Sequence, residues 1–153
     1  MNSHIEKLAI AIHGDYRKQL AARGQTDAPY DMPWEQLPED IKDANRAQAA
    51  DIAHKLDLIG CGYDAGDTPF PSVDAFTEAE ILFLAQGEHD RWMQNRRDHG
   101  WRYGKTRDNE RKIHPLLVPW DELPQEERQK DVDVVRNIIP LLKSVGLRVY
   151  RLV

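Results

Sequence analysis

Apolar residues recur at three- and four-residue steps from Ile5 to Ala22, through Leu8, Ala9, Ile12, Tyr16 and Leu20. That spacing predicts an amphipathic helix with one buried face, and Gly24 is placed to end it. A polar turn, GQTDAPYDM, leads into Pro33-Trp34-Glu35-Gln36-Leu37-Pro38. Pro38 suits the first turn of a second helix, and Glu39 and Asp40 favour its positive end. This helix is expected to run to about Leu58, with Ile41, Ala44, Ala49, Ile52, Ala53, Leu56 and Ile59 inward, and to stop at Gly60. Cys61 to Phe76 is rich in Gly, Pro and Asp and reads as an ordered or semi-extended linker. Thr77-Glu-Ala-Glu80 is a capping box for a third helix, through Ile81, Leu82, Leu84, Ala85, Trp92 and Met93 to Gly100. A fourth helix follows Pro119-Trp120-Asp121-Glu122-Leu123-Pro124, with Val132, Val135, Ile138, Ile139, Leu142 and Val145 inside. Pro140 is expected to kink it. The alternation from Leu147 to Val153 predicts a short final strand.

The pattern occurs twice. Pro33-Trp34 and Pro119-Trp120 lie 86 positions apart, and the same offset superposes Leu56 on Leu142 and Gly60 on Gly146. The preceding helices match at an offset of 76, His13 on His89, Tyr16 on Trp92 and Gly24 on Gly100. The difference is an insertion between Gly100 and Pro119. The expected fold is therefore mainly α: two pseudo-symmetric helix-loop-helix repeats packed together, with short β-strands in loops and at the C-terminus. Residues 1–60 form the first repeat, 61–76 the linker and 77–153 the second, and neither half alone has much core.

Composition narrows the functional classes. No apolar run approaches the roughly 18 residues of a membrane span, so no membrane insertion is expected. The first twenty residues, interrupted by Glu6, Lys7, His13 and Asp15, do not read as a signal peptide. One cysteine, Cys61, excludes an internal disulfide, and a cytoplasmic location is expected. A formal charge of −5 without a basic stripe argues against nucleic acid as a partner. No metal-ligand spacing, Walker loop or dinucleotide fingerprint is present, and Cys61 has no local base. Catalysis, a metal and a cofactor are therefore not expected.

Against that background, Glu88 to Trp120 stands out. It holds three tryptophans, three histidines and Tyr103. Between Gly100 and Val118, five basic residues face two acidic ones, a local charge of +3. Rings beside guanidinium groups suit a planar anionic ligand, because rings stack on bases while guanidiniums fork onto phosphate. His89, Trp92 and Arg96 share a face of the third helix. Trp101 and Tyr103 alternate with Arg102, as an extended segment would place them on one face, and one is expected to pack and the other to stack. A packing reading is also open: Trp92 closing the core, His89 bonded to a loop carbonyl, Arg96 paired with an acid, His114 a structural hydrogen-bonding group.

The second half resembles the ryanodine receptor repeat, or RyR domain. The resemblance rests on Glu88, His89, Trp92, Arg96, Gly100-Trp101-x-Tyr103-Gly104, Arg107-Asp108, Arg111-Lys112, His114-Pro115, Leu117-Val118-Pro119 and Leu123-Pro124. The first half resembles a degenerate copy that keeps His13, Tyr16, Gly24 and Pro-Trp-x-x-Leu-Pro but lacks Gly-Trp-x-Tyr-Gly and His-Pro. Such repeats occur as tandem pairs in large calcium release channels, where a pair binds adenine nucleotide, and in stand-alone prokaryotic and phage-type proteins encoded beside nucleotide-signalling and ion-flux genes. The resemblance implies a non-catalytic, ligand-sensing module for an adenine-nucleotide-like small molecule, with an effector or channel protein as a further partner. The ligand-binding residues it implies, together with the chemistry above, are Tyr16, His89, Trp92, Arg96, Trp101, Tyr103, Arg107, Arg111, Lys112 and His114. Tyr16 and Trp92 would sandwich one ring. The alternative is a protein-protein interaction module, since exposed Trp and Arg are also what interface hot spots are made of.

Overall fold

Pro38, Pro124 and the Thr77 capping box start three helices where the sequence places them. In the computed structural model, which describes residues 3–25 and 28–152, α1 spans Ser3–Ala22, α2 Glu39–Leu58, α3 Glu78–Asp98, α4 Gln125–Arg136 and α5 Ile138–Ser144. The fold is mainly helical with short strands. Met1 and Asn2, Thr26 and Asp27 of the polar turn, and Val153 of the expected last strand lie outside the described residues. The chain forms two compact units, Met1–Asp74 with Ile138–Val153, and Ala75–Asn137.

In the first unit α1 packs on α2 and α5. Leu8, Ala9 and Leu20 meet the core with Ala49, Ile52, Leu56 and Leu142. Ala44 and Ala53 of the expected inner face are exposed, because the packed stripe of α2 is narrower than its run of small residues. Lys55 is buried instead and is paired with Asp51. The stretch read as a linker opens with a strand, β1 (Cys61–Asp64), antiparallel to the last strand, β4 (Arg148–Arg151), in the register Cys61↔Arg151 to Asp64↔Arg148. Arg148 ties down the rest of the stretch. Its guanidinium donates to Asp64 Oδ1 at 2.8 Å, to the Phe70 carbonyl at 2.8 Å and to the Thr68 carbonyl at 2.9 Å.

In the second unit α3 packs on α4. Thr77 Oγ1 accepts from Glu80 N at 3.1 Å while Glu80 Oε1 accepts from Thr77 N at 2.9 Å, so both arms of the capping box are made. Ile81, Leu84, Ala85 and Met93 form the core with Leu117, Leu123 and Val135. Gly100, at φ 86°, turns the chain out of α3 in a conformation that a side chain would strain. The loop between α3 and α4 is stitched by a parallel pair, β2 (Arg102–Tyr103) with β3 (Ile113–His114).

The expected fourth helix is two helices. Pro140 has no N–H to give the Arg136 carbonyl and its ring crowds that oxygen. The helix accordingly ends at Arg136, Asn137 forms a turn, and Pro140 sits in the first turn of α5 where a missing donor costs nothing.

Candidate functional site

The Ala75–Asn137 unit contains a cavity of about 430 Å³, within the size range of small-molecule sites. On α3, His89, Trp92 and Arg96 line it in that order along the helix. The loop between α3 and α4 adds Trp101, Arg107, His114 and Leu116. Leu123 and the first turns of α4 close the opposite wall, with Glu127, Lys130 and Asp131. Six of the ten residues expected from sequence thus line one cavity: His89, Trp92, Arg96, Trp101, Arg107 and His114.

Its rings are held in a chain of contacts. His89 stacks on Trp92 with centroids 5.8 Å apart and planes 21° apart, and Trp92 meets the edge of His114 at 5.0 Å. His114 lies 6.1 Å from Trp101, over which the Arg96 guanidinium sits at 5.7 Å. Cation–π contact of this kind presents the cation in a fixed place without neutralising it. Arg107 Nε donates to Asn109 Oδ1 at 2.9 Å, a neutral partner that leaves its charge uncompensated by that bond.

Both histidines have their tautomers set by backbone. His89 Nε2 donates to the Val118 carbonyl at 2.6 Å, and its Nδ1 lies 4.0 Å from Asp131 Oδ2. His114 Nδ1 accepts from Leu116 N at 3.1 Å, so its neutral form carries the proton on Nε2. Burial holds the His114 pKa below its ordinary 6.5, helped by the positive charges of Arg107 and Arg96 and opposed by Glu127. The ring is therefore neutral at pH 7, and Nε2–H is a donor without a charge.

Four expected residues are placed elsewhere. Tyr103 is 54% exposed and is not part of the cavity wall, although strand alternation would give it the same face as Trp101, which precedes β2. Of the pair Trp101 and Tyr103, Trp101 faces the cavity. Arg111 is on the loop exterior, 3.7 Å from Asp108, whose Oδ1 already accepts the Glu110 and Arg111 amides in a tight turn. Lys112 has φ 57° and its Nζ donates to the His99 carbonyl at 2.8 Å, capping the end of α3. Tyr16 belongs to the first unit, where it stacks on His13 at 6.0 Å and is 37% exposed.

The acidic wall, Glu127 and Asp131 with Lys130, was not foreseen. Their i, i+3, i+4 spacing marks one face of α4, but only the packing of α4 on α3 turns that face toward the rings. Among the described residues, no group of three or more His, Cys, Asp or Glu is gathered as a metal site, and no helix is long and apolar enough to cross a membrane.

Fold and cavity together define a helical-hairpin domain with a ring-lined, charged pocket beside the loop that joins α3 to α4. The family model for the RyR domain matches residues 72–151, just over half of the 153 residues. The chain belongs to the RyR domain family.

Proposed function

We propose that this RyR domain is a non-catalytic module of the cytoplasm that binds an adenine nucleotide or nucleotide-derived signal. The observation that carries the reading is the convergence of Trp92, Trp101 and His114 with the Arg96 and Arg107 guanidiniums on one cavity of about 430 Å³. Rings supply stacking surface, worth about 1–3 kcal/mol per base on single-strand binding surfaces. The two guanidiniums supply phosphate contacts, and His114 a neutral donor. Isothermal titration with ATP, ADP-ribose and cyclic nucleotides tests it. Saturable heat that is lost in Trp92→Ala and Arg107→Ala supports the reading, and absence of heat with all of them at millimolar concentration overturns it.

We further infer that residues 1–60 are a degenerate copy of the same repeat. Its support is internal geometry: His13 Nε2 donates to the Met32 carbonyl at 2.6 Å, as His89 does to Val118 at 2.6 Å. In this reading the first copy keeps the hairpin and lacks the inserted loop that carries the ligand.

A second reading is favoured by Tyr103 and Arg111, which are exposed outside the cavity wall. They would serve an interaction with an effector or channel protein. Tyr103→Ala and Arg111→Ala that abolish capture of such a partner while sparing nucleotide binding would separate the two.

A further inference from the structure

The cavity is electrically ordered along α3. His89, Trp92 and Arg96 follow one another at i, i+3 and i+7, which spreads them over about 10 Å of helix axis. Asp131 stands at the His89 end, 4.0 Å from Nδ1, and Glu127 lies one turn of α4 before it. Arg96 stands at the other end, over Trp101. A flat ligand lying along this axis meets the Asp131 carboxylate first, then the indole of Trp92 with Glu127 and His114 alongside, then guanidinium.

We propose, resting on the nucleotide reading above, that Glu127 and Asp131 are specificity-determining residues that accept hydrogen bonds from an exocyclic amino group on the edge of the bound base. The order fits the ligand's own order. In an aminopurine nucleotide the ring amine is at the end remote from phosphate, so an amine toward Asp131, a ring on Trp92 with Glu127 along its edge, and phosphate at Arg96 and Arg107 occupy the cavity in one orientation. An ionised carboxylate accepts and does not donate, so it favours a ring N–H₂ and repels a ring carbonyl at the same place. Lys130 lies 3.2 Å from Glu127 and offsets its negative charge, which suits a neutral amine better than a full cation there. The side chains of Glu127 and Asp131 are 24% and 20% exposed, shielded enough for an unmatched partner to be costly.

The test is a titration of the full chain with ATP, GTP and ITP, which carry an amine at position 6, an amine at position 2 and no amine. Wild type is expected to bind ATP or GTP at least about tenfold more tightly than ITP. In Asp131→Ala and Glu127→Ala, with circular dichroism and melting used to check the fold, that preference is expected to shrink toward unity while ITP binding changes little. Which of ATP and GTP is preferred identifies the ring edge that meets the acids. Equal binding of all three by wild type overturns the proposal and leaves the nucleotide reading standing. No binding of any of the three removes both. The comparison in wild type needs no variant to fold.

Discussion

His89 donates from Nε2 to the main-chain carbonyl of Val118 at 2.6 Å, and this bond joins the middle of α3 to the start of the second Pro-Trp segment. The ring is 3% exposed, so the carbonyl it serves has little access to water. His89→Ala leaves that acceptor unpaired and opens space beside Trp92. The expected cost is about 1–3 kcal/mol of stability, the usual penalty for orphaning a buried group. Urea unfolding checks it. The same loss is expected for His13→Ala, whose ring is 4% exposed and serves Met32.

The cavity predicts which of the loop's cations and rings matter. Trp92→Ala and Arg107→Ala are each expected to weaken nucleotide binding by about tenfold or more, from lost stacking and a lost charge-assisted bond. Tyr103→Ala and Arg111→Ala, outside the cavity wall, are expected to leave affinity within about twofold at fixed ionic strength, since exposed charges there are screened. Titration of the four variants side by side reads the contrast. Equal losses at all four positions would move the ligand from the cavity to the loop surface.

What the sequence made legible was local. Thr77 and Glu80 declare a helix start within four residues, Pro38 and Pro124 do the same, and Gly24, Gly60, Gly100 and Gly146 take the positive φ that their places at helix ends require. The grouping of His89, Trp92 and Arg96 needed only helical spacing. What was not legible depends on partners distant in sequence. β1 looks like a connecting segment because its register is set by β4, with Asp64 opposite Arg148. Trp101 lines the cavity and Tyr103 does not, which their shared spacing could not separate, and the pairing of β2 with β3 brings the Ile113 side chain to where a methyl on Gly104 would have to go. Glu127 and Asp131 look like any solvated helix face until α4 is laid on α3.

His114 gives a pH dependence with a definite sign. Burial, with Arg107 and Arg96 nearby, holds its folded pKa below the ordinary 6.5. The unfolded chain therefore takes up this proton first, and stability falls as pH drops from about 6.5 toward the folded pKa, then levels off. His114→Asn keeps an acceptor for the Leu116 amide and cannot titrate. The variant is expected to show a shallower loss of stability than wild type over that window in denaturant titrations at stepped pH. An identical slope would show that His114 does not carry the effect.

Asp64 acts in the same sense, at lower pH. The Arg148 guanidinium at 2.8 Å, the Thr68 hydroxyl at 2.6 Å and the Gly66 amide at 2.8 Å hold its carboxyl well below the ordinary 3.8. The stability it contributes is fully present above 3.8 and is lost as pH falls through the lower folded value, because protonation then releases Arg148 from the turn it organises. Asp64→Asn is expected to lower stability at pH 7 and to flatten the acid limb below about pH 4, since the amide accepts less strongly and cannot be protonated there. Arg148→Met should produce the same flattening and also loosen residues 68–72, seen as faster amide exchange at Val73, whose N–H bonds the Val149 carbonyl at 2.8 Å. If Asp64→Asn keeps the wild-type acid limb, the carboxylate is not the group that Arg148 holds in place, and the bonds to the Phe70 and Thr68 carbonyls alone anchor the strand pair.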